Sequence, residues 1–142
     1  MPVIAFHGTA DTFVVYTGGM GEGAKKLPAP DGSGNSIQDA SSANGAVVPG
    51  SMDQKVPDNA AAWAKRNGCQ TTPKESEASS DTTLITFDCP SGAEVQLYRT
   101  EGAGHEWPGS PGSVAIEPVV GKTTMTIDAT KLMWAFFKSH RR

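Results

Sequence analysis

The chain has little charge, few aromatic residues and no long apolar run. Charged residues make up 19% and aromatic residues 7% of the 142 residues, whereas about 25% charged residues is typical of globular proteins. Twelve Lys and Arg against fifteen Asp and Glu leave a net charge of -3, so the sequence lacks the basic surface that binds nucleic acid. No stretch approaches the ~18 consecutive apolar residues of a membrane span. The composition therefore predicts neither nucleic acid nor a membrane as a partner.

Cysteine is also scarce. Cys69 and Cys89 are the only two cysteines, and they form no Cys-x-x-Cys pair of the kind that binds metal. A disulfide between them is favoured, with two separate buried thiols as the alternative. Because structural disulfides are typical of oxidising compartments, a bridge would predict a secreted or periplasmic protein.

Glycine and proline are abundant, with 16 and 10 residues. This excess indicates a loop-rich chain, and it excludes a coiled coil or an all-helical bundle. Many of these residues fall between about residues 18 and 50, where large apolar side chains are almost absent. Such a composition buries too little surface to offset the entropy of ordering. We therefore expect a flexible Gly/Ser/Pro-rich insertion at about 18–50, and residues 1–142 to form a portion of one domain.

Hydrophobic patterning predicts an α/β fold. Residues 2–7 form an unbroken apolar run, which is typical of a strand buried on both faces in a parallel sheet. A strand of this kind needs a neighbour on each side, so we expect the fold to include chain before Met1. Helical spacing follows Pro57, a hairpin is indicated over 82–99, and a helix is expected to begin after the capping residue Asp128.

Two candidate functional residues follow predicted strands. His105 lies in the glycine-rich stretch Gly-Ala-Gly-His-Glu-Trp-Pro-Gly, and Asp11 follows the first strand. Functional groups of α/β proteins cluster at the carboxyl ends of strands, where a carboxylate can accept an imidazole N–H and stabilise the imidazolium. Structural roles remain the alternatives: a backbone-bonded histidine and an Asx turn. His7, Asp11 and His105 could also ligate a metal, but no spaced ligand pair supports a metal site.

A nucleophile to complete a triad is missing. The order Ser, then Asp, then His is that of α/β hydrolases, and it would require a serine before Asp11. None of the ten residues there is serine, and no Gly-x-Ser-x-Gly occurs anywhere in the sequence.

Four motifs in order carry a resemblance to a known family: PVIAFHGTADTFVVY at 2–16, WAKRNGC at 63–69, GHEWPG at 104–109 and LMWAFF at 132–137. Together they resemble the C-terminal half of secreted polyhydroxybutyrate depolymerases and feruloyl or acetylxylan esterases. The resemblance implies the C-terminal half of an α/β-hydrolase fold, with a mostly parallel sheet and flanking helices.

The resemblance also implies a function. The chain would belong to an extracellular serine esterase acting on a polyester or a plant cell-wall ester, without metal or organic cofactor. Asp11 would be the triad acid, His105 the general base, and Trp107 a wall of the acyl or alcohol pocket. Cys69 and Cys89 would form a disulfide near the site. The N-terminal half, with the signal peptide and the serine, would be the missing partner, and the isolated chain would be inactive.

Two alternatives remain open. The chain could be a non-catalytic binding or assembly module that reuses these motifs, or a separate polypeptide could supply the serine-bearing half.

Overall fold

A computed structural model describes residues 1–30, 32–39 and 54–140. Its elements, in chain order, are β1 (Val3–Gly8), α1 (Glu22–Lys25), α2 (Val56–Arg66), β2 (Lys74–Ser79), β3 (Thr82–Thr86), β4 (Val95–Thr100), α3 (Pro111–Ala115), α4 (Glu117–Val120) and α5 (Ala129–Ser139). In these ranges none of the helices has the length and apolarity that a bilayer crossing needs.

The four strands form one mixed sheet in the order β1-β4-β3-β2. Only β1 and β4 are parallel, and the other two pairs are antiparallel. The prediction of a mostly parallel α/β-hydrolase sheet is therefore wrong. The physical reason is the length of the connections: two residues join β2 to β3 and eight join β3 to β4, whereas a parallel pair needs a crossover of a dozen or more residues. The chain between β1 and β4, which contains α2, is long enough for such a crossover, and these two strands pair in parallel.

The first strand differs from its prediction in burial. The apolar run does form β1, but its residues from Val3 to His7 are only partly buried, because β4 is the one strand that pairs with it in the described part of the chain. Beside β1 lies an apolar groove of about 240 Å³, with walls that include Val3, Ala5, Val56 and Trp63. A strand predicted to be covered on both faces is thus an edge strand with an open groove.

The main core lies between the sheet and α2. The helix begins with Pro57 in its first turn, where the missing N–H costs nothing, and it presents Ala60 and Ala64 to the sheet. These small residues pack with Val95 and Leu97 of β4. The predicted helix, the hairpin of β3 and β4, and the final helix are all present. Asp128 caps α5 by accepting a hydrogen bond from the Lys131 amide at 3.0 Å.

Part of the proposed insertion folds back on the loop after β1. The amides of Gly21 and Gly23 donate to the carbonyls of Phe13 and Thr12, each at 2.9 Å, and α1 follows. Residue 31 and residues 40–50 of the insertion lie outside the described residues, so its flexibility stays a prediction.

The disulfide prediction is confirmed: Cys69 and Cys89 are bonded. The bridge ties the end of α2 to the segment after β3, and both cysteines belong to or pack against the main core. A buried structural disulfide fits an oxidising environment.

We expect loss of this bridge to destabilise the fold. Removing a cross-link over a sequence separation of 20 restores loop entropy to the unfolded chain, worth about 3 kcal/mol. The variant Cys69→Ala/Cys89→Ala is therefore expected to unfold at lower urea concentration than the wild type. Reductant should shift the wild-type midpoint toward that of the variant and leave the variant unchanged. Equal midpoints for wild type and variant would contradict a structural role for the bridge.

Candidate functional site

The candidate site lies where β1 and β4 end. Because these strands are parallel, their carboxyl ends meet at one edge of the sheet, with Gly8 opposite Thr100. The two following loops are then joined by backbone hydrogen bonds, from the Thr9 amide to Thr100 and from the Ala10 amide to Ala103, both 2.9 Å.

The side chain of Thr9 adds a further link between the loops. Its Oγ1 accepts from the Gly102 amide at 2.8 Å and donates to Glu101 Oε2 at 3.2 Å. Glu101 in turn pairs with Arg99, with 2.9 Å between Oε1 and Nε. These contacts fix the spacing of the two loops, and they were not predicted from the sequence.

Two glycines allow the loops to approach each other closely. A Cβ atom on Gly8 would lie 2.2 Å from the Ala103 carbonyl oxygen, and one on Gly104 would lie 2.0 Å from the Val120 oxygen. Both distances are shorter than any real contact, so no larger residue fits without moving the backbone.

The loops bring Asp11 and His105 together. Nδ1 of His105 lies 2.9 Å from Oδ2 of Asp11, so the Asp11 carboxylate is placed to accept the imidazole N–H, the interaction for which the sequence made it a candidate. Asp11 is buried, with 4% of its side chain exposed, whereas 52% of the His105 side chain is exposed. The other oxygen of Asp11 accepts from the amides of Phe13 and Val14 at 2.7 and 2.9 Å. The Asx turn named as an alternative is therefore present together with the histidine contact.

This arrangement defines the tautomer of His105. A carboxylate oxygen only accepts, so the proton between the residues belongs to Nδ1, and Nε2 of the neutral ring carries a lone pair. Among the described residues, no side chain is bonded to Nε2. The ring packs on Phe13 with 5.0 Å between centroids, and the His105 amide donates to Val120 at 2.6 Å. The result is an oriented, accessible base beside a buried carboxylate.

Trp107 lies two residues beyond the candidate base. Its Nε1 donates to Thr130 Oγ1 at 2.9 Å, and its ring centroid lies 6.0 Å from that of Phe6. The indole is 42% exposed, so it presents an apolar surface to solvent near the site. Its role as a pocket wall stays a prediction.

Glu106 is a second carboxyl beside His105, and the sequence reasoning missed it. Its Oε2 is buried and has no hydrogen-bond partner among the described residues. Burial raises the pKa of Glu106 to about 7, the Thr124 amide opposes the rise, and the carboxylates of Asp81 and Glu117 add to it. The available signal was an acidic residue between His105 and Trp107 in the glycine-rich stretch 102–109, which has no other Asp, Glu, Lys or Arg.

His140 lies at the opposite end of the sheet from Asp11 and His105. Nε2 of His140 lies 2.6 Å from Glu94 Oε2, and its Nδ1 lies 2.6 Å from the Phe136 carbonyl oxygen. The Phe136 carbonyl and Glu94 raise the pKa of His140 against its partial desolvation. In the described ranges no group of three His, Cys, Asp or Glu residues could hold a metal ion.

We expect Glu106 to weaken the fold as pH rises. Its pKa of about 7 in the folded state lies above the ordinary value of 4.5. The stability that its protonated form contributes is therefore complete below about pH 4.5 and is lost as the pH rises through about 7. Glu106→Gln should therefore be more stable than wild type above pH 7, by about 1 kcal/mol after allowance for solvent screening, and should lose this advantage near pH 4.5. Urea unfolding across this range measures the difference. Glu77→Gln, on the exposed strand β2, is the control, and an advantage independent of pH would contradict the expectation.

We also expect Gly8→Ala to separate the two loops. The new Cβ would overlap the Ala103 oxygen, at a cost of about 2 kcal/mol or more in unfolding free energy. Gly112→Ala is the matched control, because its nearest neighbour would be Ser110 Oγ at an ordinary 3.4 Å. Thermal unfolding of both variants makes the comparison, and equal midpoints would show that the loops are not in close contact.

Comparisons with known proteins assign no chemistry to this site. No protein-family model, no curated protein and no solved structure matches the chain.

Proposed function

We propose that the chain supplies the acid and the base of a serine carboxylic ester hydrolase, similar to polyhydroxybutyrate depolymerases and feruloyl or acetylxylan esterases. The observation that carries the proposal is the 2.9 Å hydrogen bond between Asp11 and His105. The burial of the carboxylate and the open Nε2 of the imidazole support it further.

The chemistry would proceed through His105. A serine hydroxyl attacks the ester carbonyl while Nε2 takes its proton, and Asp11 stabilises the resulting imidazolium across the Nδ1 hydrogen bond. His105 then returns the proton to the leaving alcohol, which gives an acyl-enzyme. Water attacks the acyl-enzyme by the same proton transfers, and the serine is regenerated.

The serine would come from polypeptide outside these 142 residues. No serine of the chain lies in a Gly-x-Ser-x-Gly stretch, the sequence that exposes a nucleophile on a strand-to-helix turn. One edge of β1 is unpaired among the described residues, and this edge and the groove beside it offer a surface on which a serine-bearing segment could dock. The disulfide supports an extracellular enzyme, and an ester-linked polymer is the proposed substrate.

Removal of the base or the acid should abolish this activity. The chain is expressed alone and together with the polypeptide encoded upstream of Met1, and hydrolysis of p-nitrophenyl butyrate is measured. We expect the chain alone to be inactive and the combined protein to be active, with Asp11→Asn lowering kcat about 10⁴-fold and His105→Ala at least as much.

The control is His140→Ala, because His140 pairs with Glu94 at the other end of the sheet and its loss should leave kcat unchanged. Activity that survives His105→Ala would overturn the proposal, as would an upstream polypeptide that carries no serine nucleophile.

A non-catalytic assembly module is the second candidate, and one observation favours it. Trp134 and Phe137 on α5 are 67% and 48% exposed, and β1 is an unpaired apolar edge in the described part of the chain. Exposed apolar surface of this kind marks interaction sites. Light scattering of the purified chain separates the candidates: a stable oligomer without esterase activity in any combination would favour assembly.

A further inference from the structure

A second imidazole faces the carboxylate of Asp11. His7, near the end of β1, has its Nε2 3.8 Å from Oδ2 of Asp11, the same oxygen that bonds to His105 at 2.9 Å. The other carboxylate oxygen is already occupied by two backbone amides. One oxygen of one buried carboxylate therefore lies between two histidines.

The longer distance has a simple cause. Nδ1 of His7 lies 3.0 Å from the Gly8 carbonyl oxygen, and because a carbonyl only accepts, Nδ1 carries the proton of the neutral ring. Nε2 then holds a lone pair that points toward a negatively charged oxygen. No hydrogen bond is possible in this state, and 3.8 Å exceeds hydrogen-bond length.

The surroundings of His7 make Asp11 its main electrostatic partner. The His7 side chain is 15% exposed, and its ring meets the edge of Tyr16 at 5.7 Å between centroids. Arg99 is its cross-strand partner on β4, but that guanidinium pairs with Glu75 and Glu101. Burial raises the pKa of Tyr16, with Arg99 opposing, so this phenol stays neutral. The groups that face His7 are thus a carboxylate, a neutral phenol and a guanidinium whose positive charge is already paired with two carboxylates.

We propose that His7 is a positioning residue that controls how much of the Asp11 carboxylate is available to His105. While His7 is neutral, His105 is the one histidine that donates a hydrogen bond to Oδ2. When Nε2 of His7 takes a proton from solvent, it becomes a donor, closes on Oδ2 and competes for it. The two histidines then share one negative charge. Protonation of His105 at Nε2 would place a second positive ring beside the same carboxylate, where it is repelled by the charge on His7.

The consequence for catalysis rests on the proposed function, whereas the shared carboxylate does not. General-base catalysis at His105 requires an imidazolium stabilised by Asp11. Protonation of His7 would weaken that stabilisation, so activity would fall in acid through a group that touches neither substrate nor nucleophile.

Side-chain nitrogen NMR of the chain tests the coupling without any nucleophile. The protein is labelled with ¹⁵N at histidine and titrated from alkaline to acid pH. We expect the His105 ring resonances to move in two steps, one of which coincides with protonation of His7 at Nε2. In His7→Gln and His7→Leu that step should be lost, and in His140→Gln both steps should remain.

Three outcomes would overturn the inference: one step in the wild type, two steps in both folded His7 variants, or two steps of which neither coincides with the His7 resonances. The last is read from the wild type alone, so it holds even if the variants fail to fold. In an active complex, the pH profile of kcat/KM should lose its His7-dependent acid limb in His7→Gln. A two-step NMR titration of the chain, together with no esterase activity in the combined protein, would refute the proposed function and leave the shared carboxylate intact.

Discussion

The parallel pairing of β1 and β4 is the constraint on which the site depends. Asp11 and His105 are 94 residues apart, and closing a loop of that length carries an entropic cost that one hydrogen bond, worth about 1–3 kcal/mol, does not offset. The sheet supplies the difference, because six residue pairs align the ends of the two strands. The contacts of Thr9 and the missing side chains of Gly8 and Gly104 then reduce the remaining distance. The contact between acid and base is therefore a consequence of the sheet and not a cause of it.

The two carboxyls around His105 have opposite environments. Asp11 is buried but accepts three hydrogen bonds, so its negative charge is compensated. Glu106 has a buried oxygen without a partner, and other carboxylates lie nearby. The Asp11 carboxylate is therefore held in a fixed position by its partners, whereas Glu106, with a pKa of about 7, exchanges a proton near neutral pH. The two carboxyls therefore differ in their partners: Asp11 is hydrogen-bonded to the His105 ring, and Glu106 follows His105 in the sequence.

Local patterns in the sequence predicted local structure well. The helices over Val56–Arg66 and Ala129–Ser139 and the hairpin of β3 and β4 follow from periodicity and capping. Strand β2 was missed because its residues Lys74–Ser79 are polar and nearly all exposed, so pairing and not patterning makes it a strand. The prediction of a mostly parallel sheet was wrong because the apolar run of β1 indicated a strand on each side, whereas β4 is the one strand beside it in the described ranges. Asp11 and His105 could be placed at one edge from the strands that precede them, but the orientation of His7 and the burial of Glu106 depend on contacts between distant segments.

The open edge of β1 links the two candidate functions. The strand contains no Lys, Arg, Asp, Glu or Pro between Val3 and Gly8, so it lacks the features with which edge strands avoid pairing. It also carries His7 and leads directly to Asp11, and the groove beside it includes His7 in its wall. A polypeptide that pairs with this edge therefore also approaches the acid and base. Under the esterase proposal that polypeptide brings the serine, whereas a second copy of the chain at the same edge would occupy its place. Assembly and catalysis would then compete for one surface.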